Sequence, residues 1–164
     1  MTELTGFVED IEALGRRASA RLIDKGIVNA RKGVARQLSL MKGRRVVRLQ
    51  RKRLADNLSV SFDETYLPLE IGRRIIANDL EKEPVFSLLE QNYKIPLQEA
   101  EYRLEAVAAE ADAGEALEIA QGSPIFRIER TSYTTGGAPI DYERPQYRGD
   151  LIRFVTRLLR SSSK

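Results

Sequence analysis

Cysteine and histidine are both missing from this chain of 164 residues. Without cysteine there is no disulfide and no thiolate nucleophile, and nothing points to export. Without histidine the commonest general base and the commonest zinc ligand are gone, which turns the reading away from catalysis and metal chemistry. No cofactor and no metal are expected. No apolar run approaches the ~20 residues of a membrane span, and the acid-bearing start is not a signal peptide, so the chain reads as cytoplasmic. What remains is an ordinary globular composition, 42% hydrophobic and 31% charged. By length it is one domain, 1–164, able to bury roughly 70% of the unfolded chain's surface.

Charge of neither sign dominates. The net charge is +3 and the pI about 9.3, but the positives crowd into residues 44–53, RRVVRLQRKR. A nucleic-acid surface presents its basic residues on one exposed face. Here they alternate with Val46, Val47 and Leu49 along a strand and are split between two faces. With no recognition helix elsewhere, direct DNA contact by this chain is the poorer reading.

Residues 123–154 organise the chain. Two apolar-rich arms, residues 125–133 and 138–147, flank Thr-Thr-Gly-Gly, and Gly136 and Gly137 can take positive φ, so the stretch reads as a β-hairpin. An earlier segment repeats it. Gly43-Arg-Arg-Val-Val-Arg-Leu-Gln-Arg51 matches Gly122-Ser-Pro-Ile-Phe-Arg-Ile-Glu-Arg130 at a constant offset of 79 residues. Upstream, Leu38 and Leu40 match Leu117 and Ile119. Downstream, Asp63 answers Asp141 after a one-residue slip. A helix closed by glycine, then a hairpin ending in an acid, occurs twice.

Periodicity fills in the rest. Phe7, Ile11 and Leu14 share one face of a short helix that Gly15 closes. Residues 21–28 read as a strand interrupted at Lys25-Gly26, and residues 32–41 as an amphipathic helix with Val34, Leu38 and Met41 on one face. The first hairpin spans residues 46–67. A helical middle follows over residues 70–93, with Ile71, Ile75 and Ile76 in one stripe and, after Pro84, Phe86, Leu89 and Tyr93 in another. Residues 104–109 read as a strand or a strand–helix junction. Asp112 and Glu115 suggest a capping box for a helix ending at Gly122, and Phe154, Val155, Leu158 and Leu159 form a last apolar stripe. Mixed strands and helices with hairpin connections mean an α+β fold: an antiparallel sheet with flanking helices, in two helix–hairpin halves.

Alternation puts Val47, Leu49, Arg51 and Arg53 on one strand face. A three-residue turn over residues 56–58 would set Arg51 opposite Asp63 and Arg53 opposite Ser61. A two-residue Gly-Gly turn would set Asp141 opposite Ser132, on the face of Phe126, Ile128 and Arg130. Two acids and two or three arginines then converge on one sheet face, a polar pocket able to hold an anion and hydroxyl groups. The same residues also fit a plain cross-strand ion pair of small net energy. Phe86 and Tyr102 also fit the core, and Tyr147-Arg148-Gly149-Asp150 also fits a turn in which Arg148 pairs with Asp150.

Taken together, Thr5-Gly6-Phe7-x-Glu9-Asp10, Arg51-x-Arg53-Leu54-Ala55 and Tyr147-Arg148-Gly149-Asp150-x-x-x-Phe154 resemble the UTRA domain. This is the effector-binding domain of GntR-type bacterial transcription regulators of the HutC branch. The resemblance implies a chorismate-lyase-like fold, a homodimer, and a small-molecule effector in the sheet cleft. It also implies a winged helix-turn-helix DNA-binding domain, N-terminal in the full protein and absent here, so the chain is expected to be an excised fragment that meets DNA only through that domain. Carried over residue by residue, the phosphate-holding arginines match Arg51 and Arg53. The acids that meet hydroxyls or amines match Asp63 and Asp141, and the aromatics match Phe7 and Tyr147. Phe86 belongs to this set through the mid-chain helix start, where sugar-phosphate members carry Ser-x-Tyr. Here Pro84-Val85-Phe86 offers no hydroxyl, which argues against a phosphosugar and leaves a carboxylate or other organic anion. Three classes stand at this point: a ligand sensor, a lyase-type enzyme on the related fold, and a dimerisation module.

Overall fold

The computed structural model describes residues 15–154. The helix expected around Phe7, and the terminal stripe beyond Phe154, lie outside the described residues. Six strands form one antiparallel sheet in the order β1-β2-β3-β6-β5-β4. They are β1 (Ala18–Asn29), β2 (Arg45–Ala55), β3 (Leu58–Pro68), β4 (Leu97–Ala108), β5 (Pro124–Thr134) and β6 (Pro139–Arg148). Short helices α1 (Lys32–Gln37), α2 (Leu69–Ile75), α3 (Val85–Ser87) and α4 (Ala111–Leu117) connect them, and α3 widens into a π-type turn through Asn92. The expected α+β fold with an antiparallel sheet and flanking helices is the one observed.

Both faces of the sheet are covered in part. On one face α1 sets Val34, Ala35 and Leu38 on Val46, Tyr66 and Tyr142, and α4 sets Ala113 and Leu117 on Phe62 and Ile125. On the other face Ile71 and Ile75 of α2, with Leu80, Val85, Leu88 and Leu89, pack on Val47, Leu49 and Leu67. Full burial of one such side chain contributes about 1.5–3 kcal/mol. The approach of α2 to β2 requires a glycine, since a Cβ on Gly72 would lie 2.6 Å from Val47 Cβ.

The repeat is deeper than the sequence alignment. At the same offset β1 answers β4, α1 answers α4 and β2 answers β5. Ser39 and Glu118 both take left-handed φ, 54° and 57°, as do Gly43 and Gly122, 83° and 87°. The Ala30 N–H donates to Arg44 O at 2.8 Å, and the Ala109 N–H donates to Ser123 O at 2.8 Å. Between β1 and β4 only Val28 and Val107 are identical at that offset, so identity could not reveal this third of each half.

Several local expectations change. Strand β1 is continuous through Lys25-Gly26, with its irregularity at Leu22/Asp24 instead. Helix α1 stops at Gln37 because Ser39 turns left-handed, and Met41 leaves the stripe at 69% exposed. The buried face after Pro84 is Val85, Leu88 and Leu89, while Phe86 is exposed. Residues 104–108 form the far end of β4, with Ala109 just beyond it, since edge pairing to β5 overrides the helical composition of LEAVAA. Asp112 lies in the first turn of α4, not at its cap, which is Glu110 without a side-chain bond, and the helix ends at Leu117.

Both hairpins reach the expected register by a route opposite to the expected one. The first turns in two residues, Asp56 and Asn57, both at positive φ, as type I′ geometry requires. A bulge at Val60 then shifts the pairing from Leu54↔Ser59 to Arg53↔Ser61. The second turns in three residues, with Thr134 N–H donating to Ala138 O at 2.9 Å, and a bulge at Ile140 restores Ser132↔Asp141. A bulge adds one residue to one strand, so turn length alone does not set register.

Candidate functional site

Four adjacent strands carry one polar cluster on the face shared with Val47 and Leu49. Strand β2 contributes Arg51 and Arg53, β3 Ser61 and Asp63, β5 Arg130 and Ser132, and β6 Asp141, Glu143 and Tyr147. Across the first hairpin Arg51 faces Asp63 and Arg53 faces Ser61. Arg53 Nε lies 2.5 Å from Asp63 Oδ2, and Ser61 Oγ donates to Asp63 Oδ1 at 2.9 Å. Arg51 is buried and donates from Nη1 to the Leu80 carbonyl at 3.3 Å. Across the second hairpin Arg130 Nη2 lies 2.7 Å from Glu143 Oε2 and 3.4 Å from Asp141 Oδ2. Asp63, Asp141 and Glu143 are all buried. Three guanidiniums therefore meet three carboxyls in a largely water-excluded layer.

The titration of these groups follows from that placement. Burial opposes the Arg51 charge and Arg53 adds repulsion, so the Arg51 pKa falls. Burial opposes the Arg53 charge too, but Asp63 outweighs it and that pKa rises. For Glu143 burial pushes up, while Arg130, Arg53 and Arg51 together hold the carboxyl below its usual range. Asp141 is the exception. Burial and then the neighbouring Glu143 charge push it up to about 6, against the pull of Arg130. Tyr147 is raised by burial and by Asp63, so it stays a neutral hydroxyl. Two buried donors, Arg51 Nε and Arg130 Nε, have no hydrogen-bond partner among the described residues. The cluster is thus charge-balanced and still holds donors suited to an anionic oxygen.

Five of the expected site residues come together here: Arg51, Arg53, Asp63, Asp141 and Tyr147. Phe86 does not join them, because it stands exposed on α3. Phe7 lies outside the described residues. The cluster also contains Arg130, the third arginine expected on this face, and Glu143, which the expectation omits. Glu143 was hidden by the repeat alignment. Arg51 pairs with Asp63 and its counterpart Arg130 pairs with Glu143, so the repeat partner of Asp63 is Glu143, not Asp141. The slip runs the other way because the second hairpin loop is one residue longer. Simple alternation from Asp141 would have found it.

Around the cluster, Phe154 packs edge-on against both Tyr147 and Phe126, with centroids 5.5 Å apart in each case. Arg148 donates to Asp150 from Nε and Nη2 at 3.0 and 2.7 Å, as the turn reading expected. A Cβ on Gly149 would lie 2.7 Å from Pro124 O, so this turn needs its glycine. A surface groove of about 490 Å³ lined by Leu40, Gly43, Arg44, Arg45, Pro68 and Leu69 contains none of the cluster residues.

The chain is similar to known proteins over most of its length. The HTH-type transcriptional repressor NagR of Bacillus subtilis (strain 168) is 27% identical over 152 residues, covering 93% of this chain and 62% of that protein. The histidine utilization repressor of Pseudomonas putida is 24% identical over 155 residues, covering 94% of this chain and 61% of that protein. The chain therefore spans about three-fifths of the length of these relatives. PhnF of Mycobacterium smegmatis superposes with a TM-score of 0.86 at 21% identity, covering 97% of this chain and 70% of that one, which establishes a common fold. The family profile of the UTRA domain matches residues 13–153, and the chain belongs to that family.

Proposed function

We propose that this domain senses a small anionic metabolite in the cluster on its sheet face and passes the signal to the DNA-binding part of a bacterial transcription regulator. It does so as a homodimer in the cytoplasm. The observation that carries the reading is the buried, charge-balanced cluster with two unfilled guanidinium donors, since an ion-pair network built for stability alone would satisfy them. Arg53, with 22% of its side chain exposed, is the arginine an incoming anion meets. Asp63 and Asp141 accept hydrogen bonds from the hydroxyl or amine groups of the same molecule. The relatives are named as regulators, which favours sensing over turnover. Calorimetry against a panel of carboxylates, amino acids and sugar phosphates tests the reading. Saturable binding without turnover is expected, and Arg53→Ala weakens it by about 1.5–3 kcal/mol, the range for a charge-assisted hydrogen bond. Unchanged affinity in both Arg53→Ala and Asp141→Ala would remove the cluster as the binding site.

A further inference from the structure

The two edges of the sheet are equivalent by the repeat but differ in their protection. On β1 a mid-strand bulge at Leu22/Asp24 breaks the edge, the Leu22 N–H donates to the Glu81 carboxylate at 2.9 Å, and Lys25 Nζ donates to Ile76 O at 2.8 Å. On strand β4 such a tie is found at the first residue, where the Leu97 N–H donates to the Glu90 carboxylate at 3.2 Å, and the edge beyond it carries none among the described residues. Its one register shift lies at its start, between Leu97 and Glu99, and no described strand pairs with its outer side. It exposes Tyr102 at 43% and Leu104 at 53%, as β1 exposes Ile23 at 49% and Ile27 at 41%, so the edges differ in their backbone protection and not in apolar exposure. A long unbulged edge with exposed apolar side chains is a template for another strand.

We propose that β4 pairs antiparallel with β4 of a second copy of this chain, about a two-fold axis at Leu104. This deepens the homodimer reading and rests on it. The register follows from charge. Centring on Leu104 sets Arg103 opposite the partner's Glu105 twice over, Tyr102 opposite Ala106, and Leu104 opposite its own copy. Centring on Arg103 would oppose Arg103 to itself and Glu101 to Glu105. Centring on Tyr102 would oppose Glu99 to Glu105, and like charges directly opposite are destabilising. The Leu104 register is free of such conflicts. It also buries the side chains nearest the cluster, because Tyr102 pairs with Arg130 in the sheet and Leu104 with Ile128. The interface strand thus lies beside β5, which carries Arg130 of the cluster, so a change at one is felt at the other.

The chain has no cysteine, so one introduced thiol reports the contact cleanly. Residues directly opposite in an antiparallel pair have Cα atoms about 4.5–5.5 Å apart, within reach of a disulfide. Under diamide, Leu104→Cys is expected to form a covalent dimer in denaturing gels, while Ile27→Cys on β1 stays monomeric. Leu104→Arg and Arg103→Glu are expected to lose the dimer peak in sedimentation velocity while keeping the wild-type circular dichroism. A wild-type dimer that persists in Leu104→Arg, with no cross-link from Leu104→Cys, overturns the β4 pairing and leaves the homodimer standing. A wild type that sediments only as monomer overturns both. Calorimetry with the effector panel reports separately on sensing, whichever holds.

Discussion

Arg51 and Arg53 stand two residues apart on one strand face, yet burial separates their tasks. Arg51 is sealed beneath Leu80, whose carbonyl it satisfies, whereas Arg53 keeps contact with solvent. Arg51→Met leaves that carbonyl without its donor and removes a positive charge that Asp63 and Glu143 feel. It should lower unfolding stability by about 1–3 kcal/mol, read in denaturant melts. Full stability combined with lost effector binding would mean that Arg51 serves only the ligand. Asp141 makes a pH prediction. Its carboxyl titrates at about 6 in the fold and at about 3.9 in the unfolded chain. Between those values the folded state holds the extra proton, so stability falls as pH rises through that window and stays low above it. Glu143, held low, acts in the opposite direction, but only below about 4.3, the usual glutamate value. The melting temperature should therefore be higher at pH 5 than at pH 7. Asp141→Asn should flatten the difference and raise the melting temperature at pH 7, and a flat wild-type profile would contradict this. Side-chain direction along a single strand was legible from sequence, which is why Arg51, Arg53, Asp63 and Asp141 were placed on one face. Glu143 is masked by the repeat, whose alignment leads from Asp63 to Asp141, although alternation along β6 reaches it.

At the scale of elements, turns and close approaches decide what pattern cannot. The register of each hairpin was legible, but its cause was not, because a bulge has no composition of its own at Val60 or Ile140. Helix ends escape the sequence pattern wherever a non-glycine residue takes a left-handed conformation, as at Ser39 and Glu118. Those φ values are imposed by the tight return into β2 and β5, not by local preference. The seat of α2 is the most exacting contact of this kind. A Cβ at Gly72 would press on the Val47 side chain and come within 3.2 Å of Leu67 Cβ, both in fully buried residues. Gly72→Ala should improve helix propensity yet destabilise the fold by about 1–3 kcal/mol, the cost of overpacking a filled core. Thermal melts check it, and a more stable variant would mean that α2 can shift freely off β2.

For the whole molecule, the repeat makes a sheet with an internal two-fold. Glu64 and Arg144 face each other across the β3–β6 seam and occupy equivalent places in the two halves, so the pseudo-axis passes between them. Around it the pairs Arg51–Asp63 and Arg130–Glu143 fall on one face, which is how duplication of a single arginine–acid hairpin assembles a balanced cluster. The halves then diverge at their rims. The chain linking them, with α2 and α3, folds back over β1, and Glu81 and Ile76 from it tie down that edge. On β4 the equivalent tie, the Leu97 N–H on the Glu90 carboxylate, holds only the first residue of the strand. Hydrogen exchange should expose this asymmetry. Amides of β2, β3, β5 and β6, inside the ladder, should exchange only by global opening. The Leu22 amide should exchange slowly although it lies on an edge strand, and Glu81→Ala should speed it without affecting the inner strands. Amides on the outer side of β4 should exchange fast in the Leu104→Arg variant and slowly in the wild-type chain. Equal, fast exchange on β4 in both would mean that its edge is open in solution, and the two rims would then differ only in how the chain itself covers them.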